Sequence, residues 1–123
     1  MRLLLDSQVL VLAAEGAILP TRVQALLDDV GIPTYVSVAS LWELTIKVAL
    51  GKLALPETPE AAVGRMRAAE LPIRHAHLAR LRELPHLHKD PFDRMLIAQA
   101  IEEGLTLVTG DEALHRYPVA WLW

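Results

Sequence analysis

At 123 residues the chain has the length of one domain, and 53% hydrophobic against 22% charged residues is a composition that folds around a core. It has no cysteine, which excludes a disulfide scaffold, a thiolate nucleophile and Cys-based zinc or iron–sulfur centres. A net charge of −3, from 12 basic and 15 acidic residues, argues against a surface built chiefly to hold phosphate, and no run reaches the roughly 18 apolar residues of a membrane span.

The elements follow in chain order. Leu3-Leu4-Leu5 is a short apolar run that reads as a buried strand, and Asp6 interrupts it too early for a signal peptide. The expected protein is therefore soluble and cytoplasmic. Gln8 to Ala14 reads as a helix. Thr21 to Val30 reads as a second, with Thr21 and Gln24 spaced as a capping box and Gly31 as its stop. Thr34 to Val38 is β-branched and aromatic, hence a strand, and Leu41 to Leu50 follows as a helix closed by Gly51. Thr58-Pro59 opens a helix running to about Glu70, with proline at its first position. Leu71-Pro72-Ile73 fits an edge strand, because proline donates no amide hydrogen. His77 to Leu84 has helical periodicity. Asp90-Pro91 starts a helix ending at Gly104, Leu105 to Thr109 is a strand, and Val119 to Leu122 is a last short strand. Strands alternate with helices and the main strands are apolar on both faces. That predicts an α/β fold with a parallel sheet covered on both sides.

In such a sheet, ligands bind beyond the carboxyl ends of the strands, where the strand order reverses. Asp6 follows the first strand and Asp111 follows Leu105–Thr109. Glu43 lies in the first turns of the helix after Thr34–Val38, and Asp93 in the first turn after Asp90-Pro91. Four carboxylates distant in sequence are thus expected on one rim. Each has a structural alternative. Asp6 and Asp90 suit helix N-caps, and Ser40 with Glu43 suits a capping box. Glu43 with Lys47 suits an i,i+4 ion pair, Asp93 suits a helix dipole, and Asp111 suits a turn. Gathered together, the acids would take up protons or a cation. Oxygen-only ligands favour Mg²⁺ or Mn²⁺, the apparatus of phosphodiester hydrolysis.

Four blocks carry a resemblance. They are Leu3-Leu4-Leu5-Asp6-Ser7-Gln8, then Ser37-Val38-Ala39-Ser40-Leu41-Trp42-Glu43-Leu44 with Lys47, then His88-Lys89-Asp90-Pro91-Phe92-Asp93-Arg94-Met95-Leu96-Ile97-Ala98-Gln99-Ala100, and Leu107-Val108-Thr109-Gly110-Asp111. In this order and spacing the chain resembles the PIN-domain nucleases, and within them the VapC-like toxins of type II toxin–antitoxin pairs. The resemblance spans residues 1–123 as a single domain. It implies a three-layer fold with a parallel five-stranded sheet flanked by helices. The implied activity is endoribonuclease action by metal-activated water, with Mg²⁺ or Mn²⁺ as cofactor. RNA is the implied substrate, a cognate antitoxin the implied partner, and a homodimer the implied assembly. Asp6, Glu43, Asp93 and Asp111 carry over as the catalytic, metal-binding carboxylates, with Asp90 as an accessory ligand. Ser7, Thr109 and Arg94 are substrate-contact candidates, Arg94 together with the basic stretch before it. Residues 65–94 hold seven of the twelve basic residues. The family's opening block commonly reads Asp-Thr-His, whereas this chain has Asp6-Ser7-Gln8. A hydroxyl is kept and a histidine contact is lost.

Other classes compete. A catalytically inactive PIN-like module would bind only an antitoxin-like partner. The pairs His75/His77 and His86/His88 suit a zinc hydrolase or, more simply, surface and loop histidines. A receiver-like domain would need a lysine near the last strands, and none follows Lys89. Trp42 is expected in the core. Trp121 and Trp123, if exposed, would mark a contact surface.

Overall fold

The computed structural model describes residues 1–123. Its centre is β1 (Leu3–Leu5), whose three leucines are wholly buried. β1 pairs in parallel with β2 (Thr34–Ser37) on one side and β4 (Thr106–Val108) on the other, with Leu5 opposite Val36 and Val108. β3 (Ala69–Leu71) and β5 (Trp121–Leu122) complete a parallel sheet of order β3-β2-β1-β4-β5. The strand order reverses at β1, so the crevice for a ligand opens at its carboxyl end.

Side chains alternate across a strand, and the core divides accordingly. Leu3 and Leu5 pack with Val9 and Leu10 of α1 (Ser7–Ala14), Val23 of α2 (Thr21–Asp28), Leu41 and Leu44 of α3 (Val38–Ala49) and Val63 of α4 (Pro59–Arg65). Leu4 faces the other way. It packs with Leu96, Ile97 and Ala100 of α6 (Pro91–Glu103) and Leu114 of α7 (Glu112–His115), a side also covered by α5 (His75–Glu83). Each buried leucine contributes about 2 kcal/mol of apolar transfer, and truncating one to alanine costs about 2–5 kcal/mol. The expected three layers are therefore present.

Local chemistry shifts several boundaries from their sequence expectation. The Thr21/Gln24 capping box does not form: Pro20 is the N-cap, and Gln24 Nε2 donates to Asp28 Oδ1 instead. Helix α3 starts at Val38, because the Ser37 hydroxyl accepts from the Ala39 amide at 3.0 Å. Ser40 thus falls inside the helix, buried, and caps nothing. Strand β3 ends before Pro72, which has no amide hydrogen to extend the ladder. Helix α5 begins at His75, earlier than its periodicity indicates, because His77 Nδ1 accepts from the Arg74 amide at 2.9 Å. The single turn α7 is too short to show a period in the sequence. Helix α6 matches expectation at both ends. Asp90 Oδ1 accepts from the Phe92 and Asp93 amides, and Gly104 closes the helix at φ 66°.

Candidate active site

A cleft of about 420 Å³ opens at the carboxyl ends of β1 and β4. It is lined by Asp6, Ser7, Gln8, Glu43, Lys47, Asp90, Asp93, Gly110, Asp111 and Trp123 with the apolar Val9 and Leu12. Five carboxylates and one ammonium therefore share one small volume.

Asp6 is fixed by the end of β1. It caps α1, with Oδ1 accepting from the Val9 amide at 2.8 Å, and is 5% exposed. Burial raises its pKa and Asp111 adds to this, while hydrogen bonds from the Thr109 hydroxyl and the Val9 and Gln8 amides act in the opposite direction. Asp111 follows β4 through Thr109-Gly110. Its amide donates to Thr109 Oγ1 at 3.1 Å, and its Oδ1 accepts from the Ala113 amide to cap α7. Thr109 is thus wholly buried beneath the cleft and joins two of its acids.

Glu43 reaches the cleft from α3 and is 6% exposed. Its Oε2 pairs with Lys47 Nζ at 3.0 Å, the i,i+4 bridge its spacing suggests. Its Oε1 is buried with no hydrogen-bond donor. An unpartnered buried carboxylate oxygen is costly in a folded protein, and it fits the need of a cation for a ligand. Asp93 enters from the first turn of α6. Burial pushes its pKa up to about 6, aided by Asp90 and Glu43 and opposed by His88. The His88 Nε2 lies 3.0 Å from Asp93 Oδ2. His88, Asp90 and Asp93 offer ligand atoms within 4.8 Å of one another. The carboxylate oxygens are donors that Mg²⁺ or Mn²⁺ accepts.

The structure thus gathers Asp6, Ser7, Glu43, Asp90, Asp93 and Asp111, with Thr109 below them. Arg94 lies outside this lining. Its Nη1 donates to the Pro85 carbonyl at 2.8 Å and to the Tyr117 hydroxyl at 3.0 Å. His88 was missed, although the spacing His88-x-Asp90-x-x-Asp93 carries the signal. Trp123 was also missed as a wall of the cleft. It packs so closely over Gly110 that a Cβ there would meet Trp123 Cε2 at 2.6 Å. Of the paired histidines, His77 is neither a surface nor a loop residue. It is wholly buried, with Nε2 2.8 Å from Glu103 Oε1. Trp42 is not in the core. It is 59% exposed, because α3 is apolar beyond its core face, and its ring meets Phe92 edge-on with centroids 5.0 Å apart.

A parallel sheet with a carboxylate-lined mouth at its reversal point makes this an α/β domain with a candidate metal site. The chain belongs to the PIN domain family, a family of nucleases, which matches residues 3–120. No curated protein matches it. Among solved structures, a chain of VapBC2 from Rickettsia felis, bound to a DNA fragment from its promoter, superimposes with a TM-score of 0.74 at 19% identity, over 99% of this chain and 98% of that one. FitAcB from Neisseria gonorrhoeae gives 0.63 at 20% identity over 98% and 96%. VapBC-1 from nontypeable Haemophilus influenzae gives 0.56 at 16% over 99% and 97%. These likenesses are of fold. No helix is long and apolar enough to cross a membrane.

Proposed function

We propose that residues 1–123 act as one domain, a Mg²⁺- or Mn²⁺-dependent endoribonuclease that is the cytoplasmic toxin of a type II toxin–antitoxin pair. The observation that carries this reading is the convergence of Asp6, Glu43, Asp93 and Asp111 on one cleft with Glu43 Oε1 left unpartnered. When bound, the ion supplies Lewis acidity toward phosphate and water. Asp6 and Asp111 would hold it, each fixed by a helix amide on one oxygen. Glu43, steadied by Lys47 through Oε2, would offer Oε1 as a further ligand or as a proton acceptor. Asp93 completes the set and Asp90 assists. The hydroxyl of Ser7, at the cleft wall, donates to a phosphate oxygen, and Thr109 orients Asp6 from below. Arg94, outside the cleft, serves at most to anchor RNA backbone on its approach.

The toxin reading is supported by the fold shared with chains of VapBC and FitAB structures. An antitoxin partner and a homodimer belong to the same reading. The exposed apolar positions Val38, Trp42 and Ile46, spaced four apart along α3, with Leu50 at its C-cap, supply a surface for such contacts. The test is RNA cleavage with Mg²⁺ or Mn²⁺ by the native protein and by Asp6→Asn and Asp93→Asn. Cleavage that a folded double variant retains in full would overturn the assignment.

A further inference from the structure

The sequence His88-Lys89-Asp90-Pro91-Phe92-Asp93 puts an imidazole just before the helix that carries Asp93. Pro91 starts α6, and Asp90 Oδ1 is committed to the amides of Phe92 and Asp93. That commitment fixes the first turn and leaves Asp90 Oδ2 for another partner. His88 is half-buried and its ring reaches back over this turn, with Nε2 3.0 Å from Asp93 Oδ2. Nitrogen and oxygen at that separation share a hydrogen. Two ligands about 2.1 Å from one ion and at right angles to each other also stand about 3 Å apart, so the spacing suits a cation in the hydrogen's place. Two further observations point the same way. The ligand atoms of His88, Asp90 and Asp93 lie within 4.8 Å of one another. Glu43, which lines one cleft with Asp90 and Asp93, carries a buried oxygen with no donor, and His88 approaches Asp93 from outside that lining.

We propose that His88 is a metal ligand of this site, and that its nitrogen makes the site select Mn²⁺ over Mg²⁺. The inference rests on the nuclease reading and deepens it. Carboxylates alone serve both ions, whereas an imidazole nitrogen is a poor ligand for Mg²⁺ and a good one for transition metals. His88 thus converts an all-oxygen set into a mixed one. Asp90 and Asp93 supply the oxygens, and the wall formed by Phe92 against Trp42 holds the turn in place.

Two measurements test this on the full chain, and neither needs catalysis. The first is pulsed electron paramagnetic resonance of Mn²⁺ added to the native protein, which reads coordinated nitrogen directly. The expected spectrum shows coupling to an imidazole nitrogen, lost in His88→Gln. The second is calorimetric titration of native protein and His88→Gln with Mn²⁺ and, separately, Mg²⁺. Glutamine places an amide where Nε2 stood, keeping a hydrogen-bond donor for Asp93 while removing the ring nitrogen. The expected result is Mn²⁺ affinity lowered about tenfold with Mg²⁺ affinity held within twofold. An equal loss for both ions would make His88 a mere support of Asp93 and overturn the proposal, as would unchanged affinities. Mn²⁺ bound by the native protein without nitrogen coupling would overturn it and leave the carboxylate site standing. No binding of either ion would remove the metal site of the nuclease reading as well.

Discussion

The two ends of the sheet each carry a cavity, and the larger is not the candidate active site. At the amino ends of the strands, about 500 Å³ is lined by Ala13, Leu27, Ile32 and Thr34 with Asp28, Asp29, Arg65 and Arg67. There the charges balance and most are engaged. Arg65 bonds Glu57 and the Ala13 carbonyl, Asp29 accepts from the Gly31 amide, and Asp28 accepts from Gln24. At the carboxyl ends, about 420 Å³ holds five carboxylates against Lys47, and a buried oxygen of Glu43 has no partner. Volume does not mark the site; uncompensated charge does. A folded chain tolerates such an imbalance where a ligand relieves it.

The strongest way to break this contrast is to remove charge from each rim in turn. Asp6→Asn or Asp93→Asn is expected to lower the rate of RNA cleavage roughly a hundredfold or more, whereas Asp28→Asn at the other rim leaves it within about twofold. Equal losses at both rims, read from initial cleavage rates, would erase the distinction.

Stability sharpens it. Asp93 has a folded-state pKa of about 6 against an ordinary 3.8, chiefly through burial. The native state therefore binds more protons than the unfolded state between these values, and stability falls as pH rises from about 4 to about 6. A shift of that size amounts to about 3 kcal/mol, which solvent contact at the open cleft reduces to about 1 kcal/mol. Metal-free Asp93→Asn is expected to melt a few degrees higher than the native protein at pH 7, with a flatter pH profile between 4 and 6. Added Mn²⁺ should raise the melting temperature of the native protein more than that of the variant. A variant that melts lower in the absence of metal would show that Asp93 is not strained there.

Gly110→Ala is expected to cost about 1–2 kcal/mol in chemical denaturation, because the added carbon forces Trp123 off the cleft wall. The smallest effect belongs to the balanced rim. Glu57→Gln removes an exposed bridge to Arg65 and should change stability by less than about 1 kcal/mol, with cleavage unaffected.

Much of this was legible in the sequence because the controlling signals are local. Three consecutive leucines before an aspartate mark a central strand and its end. Asp-Pro followed by an apolar run to Gly104 marks a helix at both termini. The rule that ligands gather at strand ends then brings Asp6 and Asp111 together. The less legible features depend on contacts across the chain. Ser37 and Ser40 offer the same hydroxyl, and only the geometry at Ala39 decides which caps α3. One turn of helix at α7 is too short to show a period. His88 meets Asp93 through a loop, and Trp123 closes over Gly110 from the far end of the sequence. Trp42 misleads because α3 carries apolar residues beyond the face it buries, so periodicity alone does not tell core from surface.

Asp6, Asp90 and Asp111 each line the cleft and each spend one oxygen on capping a helix. Asparagine caps a helix as well as aspartate does, and alanine does not. On the proposed toxin reading, a host under selection to escape this protein has a one-step mutational exit at these codons. A single amide there would yield a silent, well-folded protein still able to engage the proposed antitoxin. Decayed copies should therefore retain the shape of the domain and carry Asn where the acids stood.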